Sequence, residues 1–209
     1  CLLPLWYTLC VSLSDKSAAA GGLVSMWPVG LNFRSYEAIM DDKAFFLSFW
    51  VSVKRVFWGT VIGVGSTVLM AFPLSRNKRD FPARNKIMWL LVFCMLFHGG
   101  LVPWYMTMRQ LDLIDKILGL ALAGGLPIFN IILVMNFFRN LPKQMEEAAL
   151  IDGAGVWQIL LKIYMPLSVP VLATITLFTI VHHWNEFFQG LVLMSTKDKY
   201  PLQTYIQQM

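Results

Sequence analysis

The chain has 209 residues, of which 57% are hydrophobic and only 14% are charged. A soluble domain carries about a quarter charged residues, so this composition, with a mean hydropathy of +0.60, excludes an ordinary soluble protein. The net charge of +5 does not indicate a nucleic-acid partner, because the densest basic stretch lies in one short loop between two apolar runs (Arg76, Lys78, Arg79, Arg84, Lys86). These features predict an all-α polytopic membrane protein.

The first apolar run covers residues 2–11 and is followed by a polar segment over residues 12–48. The run has no basic start and no small-residue cleavage site, which disfavours a signal peptide. We predict a partial first transmembrane helix, and we expect the natural chain to continue beyond both ends of this sequence. Cys1, Cys10 and Cys94 lie in apolar segments without metal-ligand spacing, which predicts buried, inert thiols.

Further apolar runs cover residues 56–74, 87–108, 117–138 and 163–196. Each has about the length that crosses a bilayer as a helix, so five helices are visible and a sixth is expected to be missing. Gly59 and Gly63 predict a close-packing helix face. Helix kinks or breaks are expected at two clusters of helix-breaking residues (Gly124, Gly125 and Pro127; Pro166 and Pro170).

The basic loop sets the predicted topology. Positive loops stay in the cytoplasm, so residues 12–48, residues 109–116 and the tail after Ser195 are expected outside, and residues 139–162 inside. Lys54 and Arg55 stand at the outer end of the second run, where we expect their long side chains to snorkel to the interface.

A polar interruption separates the fourth and fifth runs. Asn140 is a suitable N-cap and Pro142 fits the first helical turn. We therefore predict a short helix that runs to about Asp152 and ends at Gly153, the residue type best suited to a left-handed end position. A second short helix is predicted over residues 156–163.

One face of the first short helix has small side chains at its centre and acidic side chains at its flank. Small residues let another protein approach the backbone closely, and carboxylates supply partners for Arg or Lys. A helix that only lies on the membrane surface has a similar pattern, so a structural or channel protein is an alternative. The residues of this face and flank are Met145, Ala148, Ala149 and Asp152, with Glu146 and Glu147.

This spacing resembles the cytoplasmic EAA loop of permease subunits in binding-protein-dependent ABC importers, written EAA-x3-G-x9-I-x-LP. Met165 stands where that pattern has Leu, a change that keeps size and apolarity. Residues 151–154 and 183–185 resemble the carbohydrate-uptake branch, and within it permeases for oligosaccharides. The matching positions are Glu147, Ala148, Ala149, Gly153, Ile163 and Pro166.

The resemblance implies one MetI-like ABC importer transmembrane domain over residues 1–209, with a coupling loop at 139–163. It implies a multi-pass subunit of the bacterial plasma membrane that imports a sugar or oligosaccharide. The implied partners are a second permease in a heterodimer, two ATPase subunits and an extracytoplasmic binding protein. The implied ATPase-coupling residues are Glu146, Glu147, Ala148, Ala149, Asp152, Gly153, Ile163 and Pro166.

The chain lacks the Gly-x4-Gly-Lys-[Ser/Thr] loop that cradles nucleotide phosphates. We therefore expect ATP and Mg²⁺ on the partner ATPase, no cofactor on this chain and no catalytic role for it. An embedded enzyme using His182, His183 and Glu186 is disfavoured, because the sequence has no HExxH or similar metal spacing.

Trp184, Asn185 and Glu186 form the candidate substrate contact. An ionisable group inside an apolar run marks a functional site by default, and the trio combines an aromatic ring with amide and carboxyl groups that bond sugar hydroxyls. An interfacial aromatic cluster is the alternative. The sequence does not identify the sugar, and an amino acid or peptide substrate stays open because those importers share the loop.

Overall fold

A computed structural model describes residues 2–208, apart from the side chain of Ser35. Within these residues the regular structure is helical and no strand occurs, which confirms the predicted all-α class. Cys1 and Met209 lie outside the described residues, so the prediction for the Cys1 thiol stays a prediction. The chain divides into two units, one up to Leu47 and one from Ser48 onward.

The first unit contains more helix than the polar segment predicted. It holds α1 (Leu2–Ser12), α2 (Lys16–Ala20) and α3 (Arg34–Asp41). Its small core joins Cys10, Ala18 and Val24, so the Cys10 thiol is buried as predicted. The carboxylate of Asp15 accepts hydrogen bonds from the Ser17 hydroxyl at 2.7 Å and the Asn32 amide at 3.2 Å, and these donors lower its pKa.

The longest helix is α4 (Lys43–Ser75), which begins well before the predicted run. At 1.5 Å per residue its 33 residues extend about 50 Å. It is the one described helix that is long and apolar enough to cross a bilayer unaided, and up to three spans result when two bent helix pairs are counted. The run at residues 87–108, for which no break was predicted, is one of these bent pairs, so the expectation of a continuous span there is wrong.

The run at 87–108 is split into α5 (Arg84–Leu96) and α6 (Leu101–Gln110), bent by 116°. Its cause is the Gly99-Gly100 pair, because Gly100 has φ 88°, a conformation that favours glycine. Cys94 is exposed on α5, so the prediction of a buried thiol is wrong there. The neighbouring Phe93 and Met95 are exposed too, so this part of α5 is surface of the single chain.

The next run breaks as predicted, into α7 (Ile117–Leu122) and α8 (Ile128–Arg139), with Gly125 at φ 66°. The last run also bends where its prolines predict, by 83° between residues 156–167 and 169–185. Its elements are α10 (Val156–Ile159), a π-helical turn (Leu160–Tyr164), α11 (Met165–Leu167), α12 (Val169–Asn185) and α13 (Phe188–Leu193). A 3-10 turn (Lys197–Lys199) and α14 (Leu202–Gln207) follow.

The main core of the second unit joins α4, α8 and the segment from α10 to α12. The close-packing prediction for Gly59 and Gly63 is confirmed, since both face α12. A Cβ at Gly59 would overlap the imidazole of His183, and one at Gly63 would lie 3.2 Å from Thr179 Cγ2. Glycine at these positions lets α4 and α12 approach closely.

Arg55 does not snorkel; its side chain is fully buried within the second unit. Its Nη1 donates to the backbone carbonyl of Glu186 at 2.7 Å and its Nη2 to Gln189 Oε1 at 2.5 Å. The prediction was wrong for Arg55 because Glu186, at the end of α12, and Gln189, in α13, supply two acceptors beside its guanidinium. Lys54, one position earlier, is exposed.

The connector after α6 is held against the tail by Asp115. Its backbone N–H donates to the Leu193 carbonyl at 3.0 Å, and its Oδ1 accepts the Ser195 N–H at 2.7 Å. That N–H, more than the ammonium of Lys199 at 3.8 Å, lowers the pKa of the carboxyl. The contact places both segments on the same side of the helices, which the predicted topology requires.

Candidate functional site

The predicted coupling helix is α9 (Lys143–Ile151), which is shorter at its start than expected. Asn140 is not its N-cap, because Asn140 ends α8 with φ −87° and ψ −6°, and Pro142 takes the extended position before α9. At the other end Gly153 has φ 77°, the predicted left-handed conformation. There the Ala154 N–H donates to the Ala149 carbonyl at 2.8 Å and closes the helix.

The outer surface of α9 is open to solvent, and none of its residues is buried. Glu147, Ala148 and Asp152 are exposed, as a docking surface requires. Large apolar side chains are exposed beside them: Ile151 is 86% exposed and Trp157 is 65% exposed. Exposed apolar patches rimmed by polar residues mark sites of protein contact.

Glu146 differs from its neighbour Glu147, because its side chain points inward. It forms an ion pair with Arg76, and its Oε2 accepts the Tyr164 hydroxyl at 2.6 Å. The Arg76 and Glu146 side chains are only 21% and 16% exposed. We call Arg76, Glu146 and Tyr164 the anchor cluster.

The anchor cluster rests on aromatic rings of the core. The Arg76 guanidinium lies 4.4 Å from the centroid of Phe72 and 5.5 Å from that of Tyr164, within cation–π range. Tyr164 packs edge-on against Phe72 at 5.0 Å and against Phe138 at 5.2 Å. The cluster therefore joins α9 to the ends of α4 and α8 and to the π-helical turn.

The predicted coupling residues thus divide between two surfaces. Ala149 and Ile163 are half-buried and pack against the main core, whereas Pro166 is exposed near the start of α11. Glu146 is turned away from any docking partner. Glu147, Ala148 and Asp152 remain as the outer face, with Gly153 as the bend.

The structure does not gather the predicted substrate trio into one site. Trp184 packs edge-on against Phe49 with ring centroids 6.0 Å apart, and Asn185 is exposed at the end of α12. Glu186 is half-buried, and its Oε1 accepts the Gln189 N–H at 3.2 Å. Of the three, Glu186 lines a cavity.

Two adjoining cavities lie between α4, the two broken helices and α12. The outer cavity, of about 600 Å³, has a mostly apolar lining, to which Trp104 adds an aromatic ring and four residues add polar groups (His98, His182, Glu186 and Gln189). The inner cavity, of about 500 Å³, is lined by polar groups of Ser66, Asn130 and Thr179 and by both neighbouring histidines. They share Gly124, Gly125 and His182, so these three residues separate the two cavities.

Trp104 and His98 line the outer cavity but were not predicted as site residues. The sequence contained a signal for this cavity. The runs at residues 87–108 and 117–138 each carry a diglycine, and interrupted membrane helices often border binding sites. The enzyme alternative gains no support: His182 and His183 have ring centroids 5.5 Å apart, but no three His, Cys, Asp or Glu of residues 2–208 are grouped as metal ligands.

Comparison with protein families gives a match over residues 44–209 to the "Binding-protein-dependent transport system inner membrane component". Two relatives come from Bacillus subtilis (strain 168). The polygalacturonan/rhamnogalacturonan transport system permease protein YtcP is 34% identical over 100% of this chain and 72% of its own length. Protein LplC is 34% identical over 99% of this chain and 70% of its own length.

The fold is similar to that of a solved transporter. A chain from the crystal structure of a bacterial ABC transporter involved in the import of the acidic polysaccharide alginate aligns with a TM-score of 0.93 and 35% identity. The alignment covers 99% of this chain and 73% of that one.

Proposed function

Because the chain belongs to the family of binding-protein-dependent transport system inner membrane components, we propose that it is a permease subunit of an ATP-driven importer for a sugar or oligosaccharide. The proposal places it in the bacterial plasma membrane beside a second permease. Two ATPase subunits and an extracytoplasmic binding protein complete the assembly.

The transport functions named for the relatives support the substrate class. They include transport of polygalacturonan or rhamnogalacturonan, uptake of diacetylchitobiose in Streptomyces coelicolor, and import of alginate. These substrates are all built from sugar rings. An amino acid or peptide, which the coupling loop alone would allow, has no comparable support.

The two faces of α9 carry the mechanical part of the proposal. Its exposed outer face, with Glu147, Ala148 and Asp152, is the surface that a cytoplasmic ATPase contacts. Its inner face is fixed by Glu146 to the ends of α4 and α8. A push on α9 therefore moves the membrane helices with it, as rigid-body switching between inward-open and outward-open states requires.

The chemistry of ATP belongs to the partner in this proposal. The sequence has no phosphate-binding Gly-x4-Gly-Lys-[Ser/Thr] loop. ATP and Mg²⁺ are therefore assigned to the ATPase subunits, and this chain converts their closure into helix movement.

Uptake by the complete reconstituted importer tests the proposal. Proteoliposomes would contain this permease, its partner permease and the ATPase, with binding protein outside and ATP inside. The probes are labelled maltotriose, trigalacturonate, a tripeptide and a free amino acid. We expect ATP-dependent uptake of at least one saccharide, and uptake of only the tripeptide or amino acid would contradict the sugar assignment.

A further inference from the structure

Two diglycine breaks, far apart in the chain, meet at the outer cavity. Gly99 and Gly100 separate α5 from α6, Gly124 and Gly125 lie between α7 and α8, and all four line this cavity. Irregular backbone is tolerated at membrane depth only where protein buries it or where it lines a water-filled cavity. Transporter sites are often built at such discontinuous helices.

Trp104 connects the two breaks. Its indole Nε1 donates to the backbone carbonyl of Ala123 at 3.0 Å, so a side chain of α6 is fixed to the end of α7. The ring also lines the outer cavity. Since its N–H is already bonded, the indole offers the cavity a positioned carbon surface.

Two polar residues of the outer cavity, Glu186 and Gln189, are held in place. Gln189 donates its backbone N–H to Glu186 Oε1, and its side-chain oxygen is bonded by the buried Arg55. The same guanidinium bonds the Glu186 carbonyl at 2.7 Å. Arg55 thus positions both lining residues, while His98 and His182 add imidazole groups to the wall.

The location fits a route from the outside. Arg55 lies 20 residues before the cytoplasmic end of α4 at Ser75, which corresponds to about 30 Å along a helix. The inner cavity begins at Gly59 and extends to Ser66, nearer the bilayer centre. In the predicted topology the outer cavity therefore lies nearer the outside than the inner cavity does.

We infer that the outer cavity is a saccharide subsite of this subunit, with Trp104 packing on the C–H surface of a sugar ring and Glu186 accepting hydrogen bonds from its hydroxyls. An aromatic surface combined with carboxylate, amide and imidazole groups complements an amphipathic, hydroxyl-rich ring. The inference rests on the proposed function and adds the location of the substrate.

The test compares tryptophan variants in the same proteoliposomes, with maltotriose and trigalacturonate as probes. Trp104→Ala should lower Vmax/KM for the transported saccharide at least tenfold, whereas Trp104→Phe, which keeps a ring but loses the N–H, should stay within about threefold. Trp89→Ala is the matched control, because Trp89 is 75% exposed on α5 in the same broken run. Glu186→Gln should also lower Vmax/KM for the transported saccharide.

The possible outcomes distinguish a failure of the subsite from a failure of the proposed function. Saccharide uptake by Trp104→Ala and Glu186→Gln at the rate of the unmodified transporter would overturn the subsite and leave the importer assignment intact. Equal losses in Trp104→Ala and Trp104→Phe would overturn it too, because the bond to Ala123 would then be what matters. Uptake of only the tripeptide or the amino acid by the wild-type assembly would overturn the sugar assignment and the subsite with it.

Discussion

Arg76→Glu is expected to uncouple ATP hydrolysis from transport while leaving the ATPase bound. The substitution replaces the ion pair of the anchor cluster with two carboxylates beside the Tyr164 hydroxyl. The loss of a hydrogen-bonded charge pair of this kind costs about 1.5–3 kcal/mol. At 1.4 kcal/mol per decade, transport per ATP hydrolysed should fall roughly ten- to hundredfold.

The measurement is the ratio of saccharide uptake to phosphate release in proteoliposomes. Arg79→Glu is the matched control, because Arg79 is an exposed cation of the same basic loop. The double variant Arg76→Glu/Glu146→Arg restores opposite charges and should recover a substantial part of the ratio. An unchanged ratio in Arg76→Glu, or no recovery in the double variant, would show that the anchor cluster does not transmit the movement.

Arg55→Met should strongly destabilise the second unit. The substitution removes a fully buried guanidinium and leaves the Glu186 carbonyl and Gln189 Oε1 without their donor. Each buried acceptor left unsatisfied costs about 1–3 kcal/mol, so the two together cost roughly 2–6 kcal/mol by the same reasoning.

Thermal unfolding in detergent, followed by tryptophan fluorescence, measures this loss. Lys54→Met is the matched control, since Lys54 neighbours Arg55 but is exposed. The midpoint should fall clearly for Arg55→Met and stay near the wild-type value for Lys54→Met. Equal midpoints for the two variants would mean that the buried hydrogen bonds of Arg55 contribute little.

Local sequence signals predicted the coupling loop well. Glycine readily adopts the left-handed conformation that ends a helix, so Gly153 was predicted to end the coupling helix in that conformation. Its φ of 77° confirms the prediction. The break before Pro127 is marked by a residue that cannot donate a backbone hydrogen bond. Gly99 and Gly100 are followed by Pro103 in a similar way, so the sequence carried a signal for the 116° bend that the predicted span over residues 87–108 overlooked.

Contacts between distant residues were beyond the reach of the sequence. Arg55 bonds Gln189 across 134 positions, and nothing near Arg55 distinguishes a buried guanidinium from a snorkelling one. Likewise, the sequence does not distinguish Glu146 from the adjacent Glu147. The side chain of Glu146 points inward because it contacts Arg76 and Tyr164, which are distant in the chain. Trp184 was predicted as a sugar contact from its aromatic ring and its polar neighbours. In the structure it packs against Phe49, and Trp104 lines the outer cavity.

We propose coupling of this permease to a separate ATPase through the outer face of α9. Its most direct test is co-purification of the ATPase with the permease, comparing wild type, Glu147→Lys and Asp112→Lys. Asp112 is an exposed carboxylate in the connector predicted to lie outside the membrane, so its reversal serves as the control. We expect retention with wild type and Asp112→Lys, and loss with Glu147→Lys. Equal retention with Glu147→Lys, or no ATPase even with wild type, would contradict the claim.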